Sequence, residues 1–488
     1  MSPSILPIAL CICLAGAAVS LAIGLSPLRR RSCVLHGWLL ALLPLAATTL
    51  LAMLAGRVLD AGPQRFVVEW MPQLGVTFAL YFDGLSAIFA LLIAGIGTLI
   101  ILYAGYYMDG EPGAWRLHAY LFLFMTSMLG VVLAGDLFTL FVFWEGTSIT
   151  SYLLIAYKYK DPASRRGAFK ALLITGGGGV FLLVGLVLIG SAAGTADIPT
   201  ILTMGDVLRD HSLYGVIFGL VAVGCFAKSA QVPLHIWLPD AMAAPTPVSA
   251  FLHSATMVKA GVYLLARLNP VLGGTDLWWT TLSLFGAATM LLGVVLALKH
   301  TDLKAILAYT TVSQLGVMVM LIGQDTPAAF KALAIGVVAH AMYKGGLFML
   351  AGIVDHAAGT RDLDRLGGLF GELRPVAILT VLAALSMAGI PPMFGFLAKE
   401  TLFAALVDAR FPGGWSAAFA AAGVFAGAMT FVCAGLVSVD VFLGRPRDPS
   451  IHAHKPALGM LIAPAVPVLL SLLIVVPPFT SVSALLAK

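Results

Sequence analysis

Charge is what this chain has least of. Lysine, arginine, aspartate and glutamate make up only 10 % of its 488 residues, against 60 % hydrophobic residues and a mean hydropathy of +0.99. A water-soluble surface takes about 25 % charged residues, so the solvent of this chain is largely lipid. That excludes a secreted disulfide scaffold, a disordered chain and a soluble enzyme on a single anchor. Cysteine is scarce too: Cys11, Cys13, Cys33, Cys225 and Cys433 lie apart, with no CxxC pair and no His/Cys ligand spacing. Zinc, iron–sulfur and haem sites therefore have no support, no metal or redox cofactor is expected, and packing is the expected role of all five. The net charge of +5 is small and not gathered into a patch, so no nucleic-acid partner is expected. Long polar loops are also missing, which leaves no room for a soluble domain. The run Gly176–Gly179 lacks the lysine and preceding strand of a phosphate loop and reads as helix packing.

Apolar runs, by contrast, recur from end to end. With about 20 residues needed to cross a bilayer, roughly fourteen spans are expected, centred near 5–25, 36–56, 84–107, 118–135, 137–157, 168–190, 212–230, 247–266, 278–298, 303–323, 328–352, 376–403, 415–441 and 457–478. Backbone groups in lipid must pair internally, and runs such as Val180–Ile189 do not alternate as barrel strands do, so the spans are helices. Ala15-Gly16-Ala17 resembles a cleavage site, but no positive residue precedes the first apolar run and Arg29-Arg30-Arg31 follows it, the reverse of a signal peptide. With the N-terminus outside, the inner loops collect Arg29, Arg30, Arg31, Arg116, Lys158, Lys160, Arg165, Arg166, Lys170, Lys299, Lys304, Arg361, Arg365, Arg374, Arg445, Arg447 and Lys455. The outer segments hold only Arg57, Arg65, Arg209, Arg267, Arg410 and Lys488. Both termini are therefore expected on the outer side of a cell membrane. Val76–Asp83, rich in β-formers, is expected to join a short strand pair at the outer surface.

The informative residues are charges where lipid should forbid them. Glu145 lies in LFVFWEGTSITSYLL, Lys228 in VAVGCFAKSAQVP, His253 and Lys259 in AFLHSATMVKAGVYLL, His340 and Lys344 in GVVAHAMYKGGLFML, and Lys399 in GFLAKETLFAAL. An ionisable group at a helix centre costs about 2.5–3.5 kcal/mol on insertion scales. Lys331, close to a helix end, reads as a snorkelling side chain and is set aside. Lys259 is six residues from His253, about 120° around a helix, and faces either the same path or another cavity. His340 and Lys344 share one face; a lone buried histidine is usually packing, but one stacked on a buried lysine is more suggestive. Glu145 and Lys228 are read as remote from any rescuing helix end. Moving a carboxylate toward or away from a buried ammonium changes its proton affinity, at 1.36 kcal/mol per pKa unit, and histidines between lysines relay protons near neutrality.

Proline and glycine mark where the helices break. Around Lys228 the chain reads AKSAQVPLHIWLPDAMAAPTPVSAFLH, with Pro233, Pro239, Pro245 and Pro247; around Lys399 it reads MAGIPPMFGFLAKE, with Gly389, Pro391, Pro392 and Gly395. Such interruptions free carbonyls inside the membrane, and a pair of them, one in each half, points to a conducting site.

These motifs resemble the antiporter-like family shared by respiratory complex I, membrane-bound hydrogenases and the Mrp cation/proton antiporters. FWEGTSITSYLLI, AKSAQVPLHIWLPDAMAAPTPVSAFLHSATMVKAGVYLLAR, DLKAILAYTTVSQLG, HAMYKGGLFM and GIPPMFGFLAKE carry the resemblance over nearly the whole chain. HSATMVKAGVYLLAR and GTRDLDRLGGL look most like the large A-type subunit of Mrp antiporters, with the fourteen-helix core of that longer protein as the matching part. The resemblance implies an all-α polytopic fold in which a three-helix segment (1–117) precedes inverted five-helix repeats at 118–267 and 278–441, with a last helix in 442–488. It implies an ion pair of Glu145 and Lys228, a path continuing through His253, a central relay at His340 and Lys344, and an exit at Lys399. Asp302 and Lys304 match the DLK opening of the tenth helix, as structural or gating residues; Ser313 and Gln314 match a polar, helix-interrupting stretch.

The expected function is thus a proton-translocating subunit of a sodium or other monovalent-cation/proton antiporter, working with other membrane subunits and without a cofactor of its own. The alternatives are a proton-pumping membrane subunit of a quinone- or hydrogen-linked redox complex, and a scaffold whose buried charges only hold helices together.

Overall fold

The structure is a computed structural model that describes residues 5–474 apart from 31, 72, 74–75 and 409–414. Arg31, Arg410, Lys488 and both termini, which entered the charge count above, lie outside the described residues. The chain divides into two compact units. One comprises Met1–Ala230, Leu234–Val248 and Ala255–Trp278; the other comprises Gln231–Pro233, Ser249–Ser254 and Trp279–Lys488.

The first unit is built from α1 (Ile5–Leu25), α2 (Cys33–Ala61), the strands β1 (Gln64–Met71) and β2 (Val76–Phe82), α3 (Gly84–Tyr107), α4 (Ala114–Leu133), α5 (Leu137–Ile155) and α6 (Pro162–Ala193). The short α7 (Ile198–Ile201) and α8 (Gly205–Arg209) lead into α9 (Tyr214–Lys228), α10 (Trp237–Asp240), the start of α11 (Thr246–Ser254) and α12 (Ala260–Leu272). The second unit holds the rest of α11, most of α13 (Asp276–Ala297), and α14 (Leu303–Gln324), α15 (Pro327–Ala358), α16 (Arg374–Ala388), α17 (Phe394–Asp408), α18 (Ser416–Phe442) and α19 (Leu458–Leu473).

Local chemistry explains the boundaries. Asp83, Asp136, Asp161, Asp302 and Thr326 cap α3, α5, α6, α14 and α15, each accepting a first-turn N–H. The 32-residue helices α6 and α15 both open with proline in the first turn and close on a left-handed glycine, Gly194 at φ 69° and Gly359 at φ 70°. Among the described residues eleven stretches are long and apolar enough to span, one of them Thr246–Leu272, which joins α11 and α12, and Tyr214–Lys228, Arg374–Ala388 and Leu458–Leu473 are shorter apolar helices. β1 and β2 pair antiparallel with an irregularity at Glu69/Met71, as the β-rich stretch before Asp83 suggested.

Two of the expected runs are not single helices. The run 376–403 splits into α16 and α17 around Gly389 (φ 75°), Pro391 and Pro392. The run 247–266 breaks between α11 and α12, where a 3-10 turn, Met257–Lys259, follows Thr256 in a non-helical conformation (φ −126°, ψ −102°). No proline announces that second break; Ser254 and Thr256 supply the hydroxyls that compete with the helical ladder, and Ser254 Oγ donates to Ala250 O at 2.5 Å.

Glycine sets the tightest helix contacts. A methyl on Gly178 would overlap Ala227, and one on Gly224 would overlap Leu182, so α6 and α9 touch backbone to backbone. Of the Gly176–Gly179 run read from the sequence as helix packing, Gly178 and Gly179 pack closely, while Gly177 is exposed with open space beside it. In the second unit Gly286 and Gly293 of α13 meet Met320 and Ser313, while Gly316 and Gly323 of α14 meet Met290 and Ser283.

Candidate functional site

In the first unit Lys228 is the last residue of α9 and is fully buried. The sequence reading placed it away from any helix end. In fact the helix stops there, inside protein, because Ser229 takes the cap position, Ala230 turns left-handed (φ 48°) and Pro233 follows. The Lys228 ammonium donates to Trp144 O at 3.2 Å, Thr147 Oγ1 at 2.6 Å and Ser148 Oγ at 2.7 Å, all on α5, and lies 5.4 Å from the centre of the Trp144 ring. Among the described residues no carboxylate lies within 4.0 Å of it.

The two members of the expected ion pair are therefore not in direct contact. Glu145 is half-buried and senses the charge of Lys228, but its Oε1 is buried without a hydrogen-bond partner. The carboxylate turns toward α6, where Gly179 leaves it room: a methyl on Gly179 would collide with Oε1. Ser148, one turn along α5 from Glu145, holds the lysine instead. Lys228 and Glu145 are thus neighbours across a hydroxyl rather than partners in contact.

The second unit repeats the device. Lys344 of α15, 1 % exposed, donates to Leu307 O at 2.9 Å and to Thr310 Oγ1, both on α14. In each unit, then, a buried ammonium rests on a helix carbonyl and on the threonine three residues further along, the side chain that itself bonds back to that carbonyl. His340 is buried one turn from Lys344 and its ring stands 5.5 Å from Tyr343. His253 is buried in the part of α11 that belongs to this unit; its ring is 6.1 Å from Phe348, and the nearby charge is Lys304, itself 2 % exposed. Lys259 is buried in the first unit, at the α11–α12 break.

Lys399 has a third arrangement. Its ammonium donates to Ala388 O at 2.6 Å, at the C-terminal end of α16, and to Gly427 O at 3.4 Å. The terminal carbonyls of a helix have no helical partner and carry its negative pole, so the break at Gly389–Pro392 makes the acceptor that holds the cation. Lys399 borders a cavity of about 40 Å³, room for a few waters, together with Ser313, Gln314, Tyr343, Ser386 and Thr430. Here Ser313 and Gln314 depart from expectation: α14 runs unbroken through them, with Gly293 packed against Ser313, and both residues line this cavity. Asp302 caps α14 and pairs with Arg361, a structural role. Pro233 and Pro391–Pro392 sit in the breaks themselves. Lys331 is exposed, as a snorkelling residue should be.

Buried lysines on neutral oxygen acceptors, in helices broken at two depths of the sequence, belong to a known architecture. The family model described as "NADH:quinone oxidoreductase/Mrp antiporter, TM" matches residues 134–430, and that of the "NADH-Ubiquinone oxidoreductase (complex I), chain 5 N-terminus" matches residues 70–117. The chain belongs to the NADH:quinone oxidoreductase/Mrp antiporter family. A probable K+/H+ antiporter protein of Rhizobium meliloti (strain 1021), of the A/B type, is 44 % identical over 87 % of this chain and 42 % of its own length. The A-type subunit of the Na+/H+ antiporter from Alkalihalophilus pseudofirmus is 41 % identical over 88 % of this chain and 56 % of its own length. The solved Mrp complex from Dietzia sp. DQ12-45-1b matches with a TM-score of 0.87 and 37 % identity, covering 96 % of this chain and 50 % of that one. This chain spans about half the length of the curated relatives it matches.

Two features of this antiporter-family chain escaped the sequence reading. Arg267, assigned there to an outer segment, is only 5 % exposed: it pairs with Asp83, donating from Nη2 to Oδ1 at 2.8 Å, and also donates to Ser86 Oγ and Tyr263 Oη. Tyr263 Oη in turn donates to Val132 O at 2.8 Å, so one cluster ties α12 to α3 and α4. The four-residue spacing of Tyr263 and Arg267, in the same apolar run as Lys259, was the available signal. The second is Gly179, whose place opposite Glu145 no periodicity reveals.

Gly179→Ala is expected to leave folding and assembly intact, because alanine favours the interior of α6 by up to about 1 kcal/mol and the group in its way is the end of a mobile side chain. It should displace Glu145 and, on the function proposed below, depress proton transport; each 1.4 kcal/mol lost from its coupling to Lys228 changes proton occupancy about tenfold. Parallel assays of thermal stability and proton flux check this, and unchanged flux would remove Gly179 from the site.

Proposed function

We propose that the chain is the proton-translocating core of a multisubunit monovalent-cation/proton antiporter, moving protons along Lys228, Lys259, His253, Lys344, His340 and Lys399, with Glu145 biasing the proton affinity of Lys228. The observation that carries this reading is that, among the described residues, Lys228, Lys344 and Lys399 are held by carbonyls and hydroxyls and by no carboxylate. Such an ammonium gives up its proton without stranding a buried counter-charge. The breaks at Lys228, Lys259 and Lys399 give water and side-chain motion a place inside the bundle.

Two repeats, 118–267 and 278–441, are part of the proposal. Their support is the matched openings of α5 and α14, the second span of each: each begins with an aspartate cap in an isolated antiparallel bridge to a second aspartate, Asp136 to Asp197 and Asp302 to Asp362. The basic loops support an outward orientation of both termini in the cell membrane. The relatives' names include both potassium and sodium antiporters, so the exchanged cation is read out by experiment.

The test is proton flux in everted vesicles or proteoliposomes holding the chain with and without its neighbouring membrane subunits, driven by sodium, potassium or choline. Cation-dependent proton release only in the assembled complex is the expected result. Flux that appears only with a redox donor, and co-purifying flavin or iron–sulfur proteins, would move the chain to a redox pump.

A further inference from the structure

The break between α16 and α17 holds Lys399, and its two sides are fastened to each other. At the end of α16, Leu385 O accepts the Ile390 N–H at 3.0 Å, Ser386 O accepts the Gly389 N–H at 3.1 Å, and Ala388 O accepts the Lys399 ammonium. Across the break α17 begins at Phe394, and its first N–H groups have no helical acceptor. One of them, that of Gly395, donates to Ser386 Oγ at 3.2 Å. A side chain of α16 thus caps α17. The approach leaves no slack: a methyl on Gly395 would overlap the Ser386 carbonyl, and one on Gly389 would overlap the aliphatic chain of Lys399. Lys399 follows Gly395 by one turn on the same face of α17. The separation of Ser386 from Gly395 therefore sets where the ammonium stands relative to Ala388 O.

Ser386 is itself held. It is buried, and its Oγ lies 3.0 Å from Ser471 Oγ of α19, also buried. A hydroxyl has one hydrogen and two lone pairs, so with Gly395 on one lone pair the bond to Ser471 fixes the rotor toward the break. The helix that carries Ser471 is firmly seated: a methyl on Gly346 of α15, two residues past Lys344, would overlap Val468 of α19. Helix formation does not ask for serine at 386, because alanine is the better helix former, and a buried hydroxyl costs free energy unless it is paired. The bonds across the break give the serine its purpose.

We propose that Ser386 is a positioning residue for Lys399 and that Ser471, on the last helix, holds it in that role. The inference rests on the proton path proposed above, in which Lys399 is the exit. By pinning the start of α17 to the end of α16, the serine gives the ammonium one defined acceptor, Ala388 O, to which it returns after each transfer. Without the hydroxyl the Gly395 N–H is uncapped and the two half-helices separate. The lysine then shares its time with other acceptors, among them Gly427 O, now at 3.4 Å. Transfer slows because its geometry is no longer prepared in advance.

The test measures proton flux per assembled complex, in proteoliposomes holding the chain with its neighbouring membrane subunits, against cation concentration. Ser386→Ala should lower the maximum flux about three- to tenfold, the rate equivalent of one net hydrogen bond, with the half-saturating cation concentration unchanged. Ser386→Thr, which keeps the hydroxyl and has the cavity beside it for the added methyl, should restore most of the flux. Ser471→Ala should lower it less, because Gly395 stays capped. Thr380→Val is the control for loosening α16, since that hydroxyl bonds Val376 O one turn back, and it should match the parent. Parent-like flux in Ser386→Ala, an equal loss in Thr380→Val, or a rise in half-saturation in proportion to the lost flux would each overturn the inference. If Ser386→Ala does not assemble, Ser471→Ala decides, and parent-like flux there overturns it. Lys399→Met separates the two levels of the argument. An active Lys399→Met removes the proton exit and this inference with it, whereas an inactive Lys399→Met beside a fully active Ser386→Ala removes this inference alone.

Discussion

Replacing Lys228 with methionine is expected to reduce cation-dependent proton flux to the level of vesicles without the chain, while stability stays level or rises. The two readouts move apart because the lysine is fully buried and uncompensated by a carboxylate in contact. Replacing a buried ion pair with apolar side chains of similar volume is often neutral or stabilising by about 1–4 kcal/mol, whereas removing one member of a contacting pair is destabilising; with no carboxylate in contact, Lys228 is closer to the first case. Methionine fills the same unbranched volume, and Thr147 keeps its own bond to Trp144 O at 2.6 Å, so little is orphaned except the Ser148 hydroxyl. A second variant separates charge from proton exchange: Lys228→Arg keeps the charge but does not release its proton. It should also be inactive. Retained flux in either variant, measured in assembled complex, would make Lys228 a scaffold residue.

The largest structural effect is expected in the C-terminal half of α12. Arg267→Ala should destabilise the chain by about 3 kcal/mol, the low end of the range for breaking a buried pair, because Asp83 retains 21 % side-chain exposure. The loss includes the donors to Ser86 and Tyr263. The effect depends on pH with a defined sign. Burial alone would raise the Asp83 carboxyl, but hydrogen bonds and charge from Arg267, with help from Ser86, hold it below its usual value. A depressed carboxyl stabilises the fold above its unfolded pKa, about 3.9, and that contribution is lost as pH falls through the lower folded value. In the variant the burial penalty is left unopposed at neutral pH and is relieved by protonation. The gap between parent and variant should therefore be widest near neutrality and narrow in acid. Thermal unfolding at a series of pH values checks it, and a gap that is flat or widens in acid would mean that the arginine acts through packing alone.

Much of the candidate site was readable as single letters. Glu145, Lys228, Lys344 and Lys399 stood out because a charge in an apolar run needs a reason, and the breaks at Pro233 and Pro391–Pro392 were visible because proline removes a donor. What stayed hidden were relations between helices. The bond of Lys228 to Thr147 and Ser148 rather than to Glu145, the gap that Gly179 leaves for the carboxylate, and the burial of Arg267 each depend on two segments meeting at one depth. Ser313 and Gln314 show the same limit in reverse: polar letters in α14 suggested an interruption, yet the backbone pairs within the helix and only the side chains turn to the cavity.

By itself the sequence determined that this is a bundle of apolar helices in lipid, where those helices are broken, and which residues carry protonatable charge; hydropathy, proline and charge act locally, residue by residue. The tertiary structure decided what each of those charges leans on. Whether a lysine meets a carboxylate, a hydroxyl or the open end of a helix is set by packing distances of a few ångströms between segments far apart in the chain, and one-dimensional order carries no record of them.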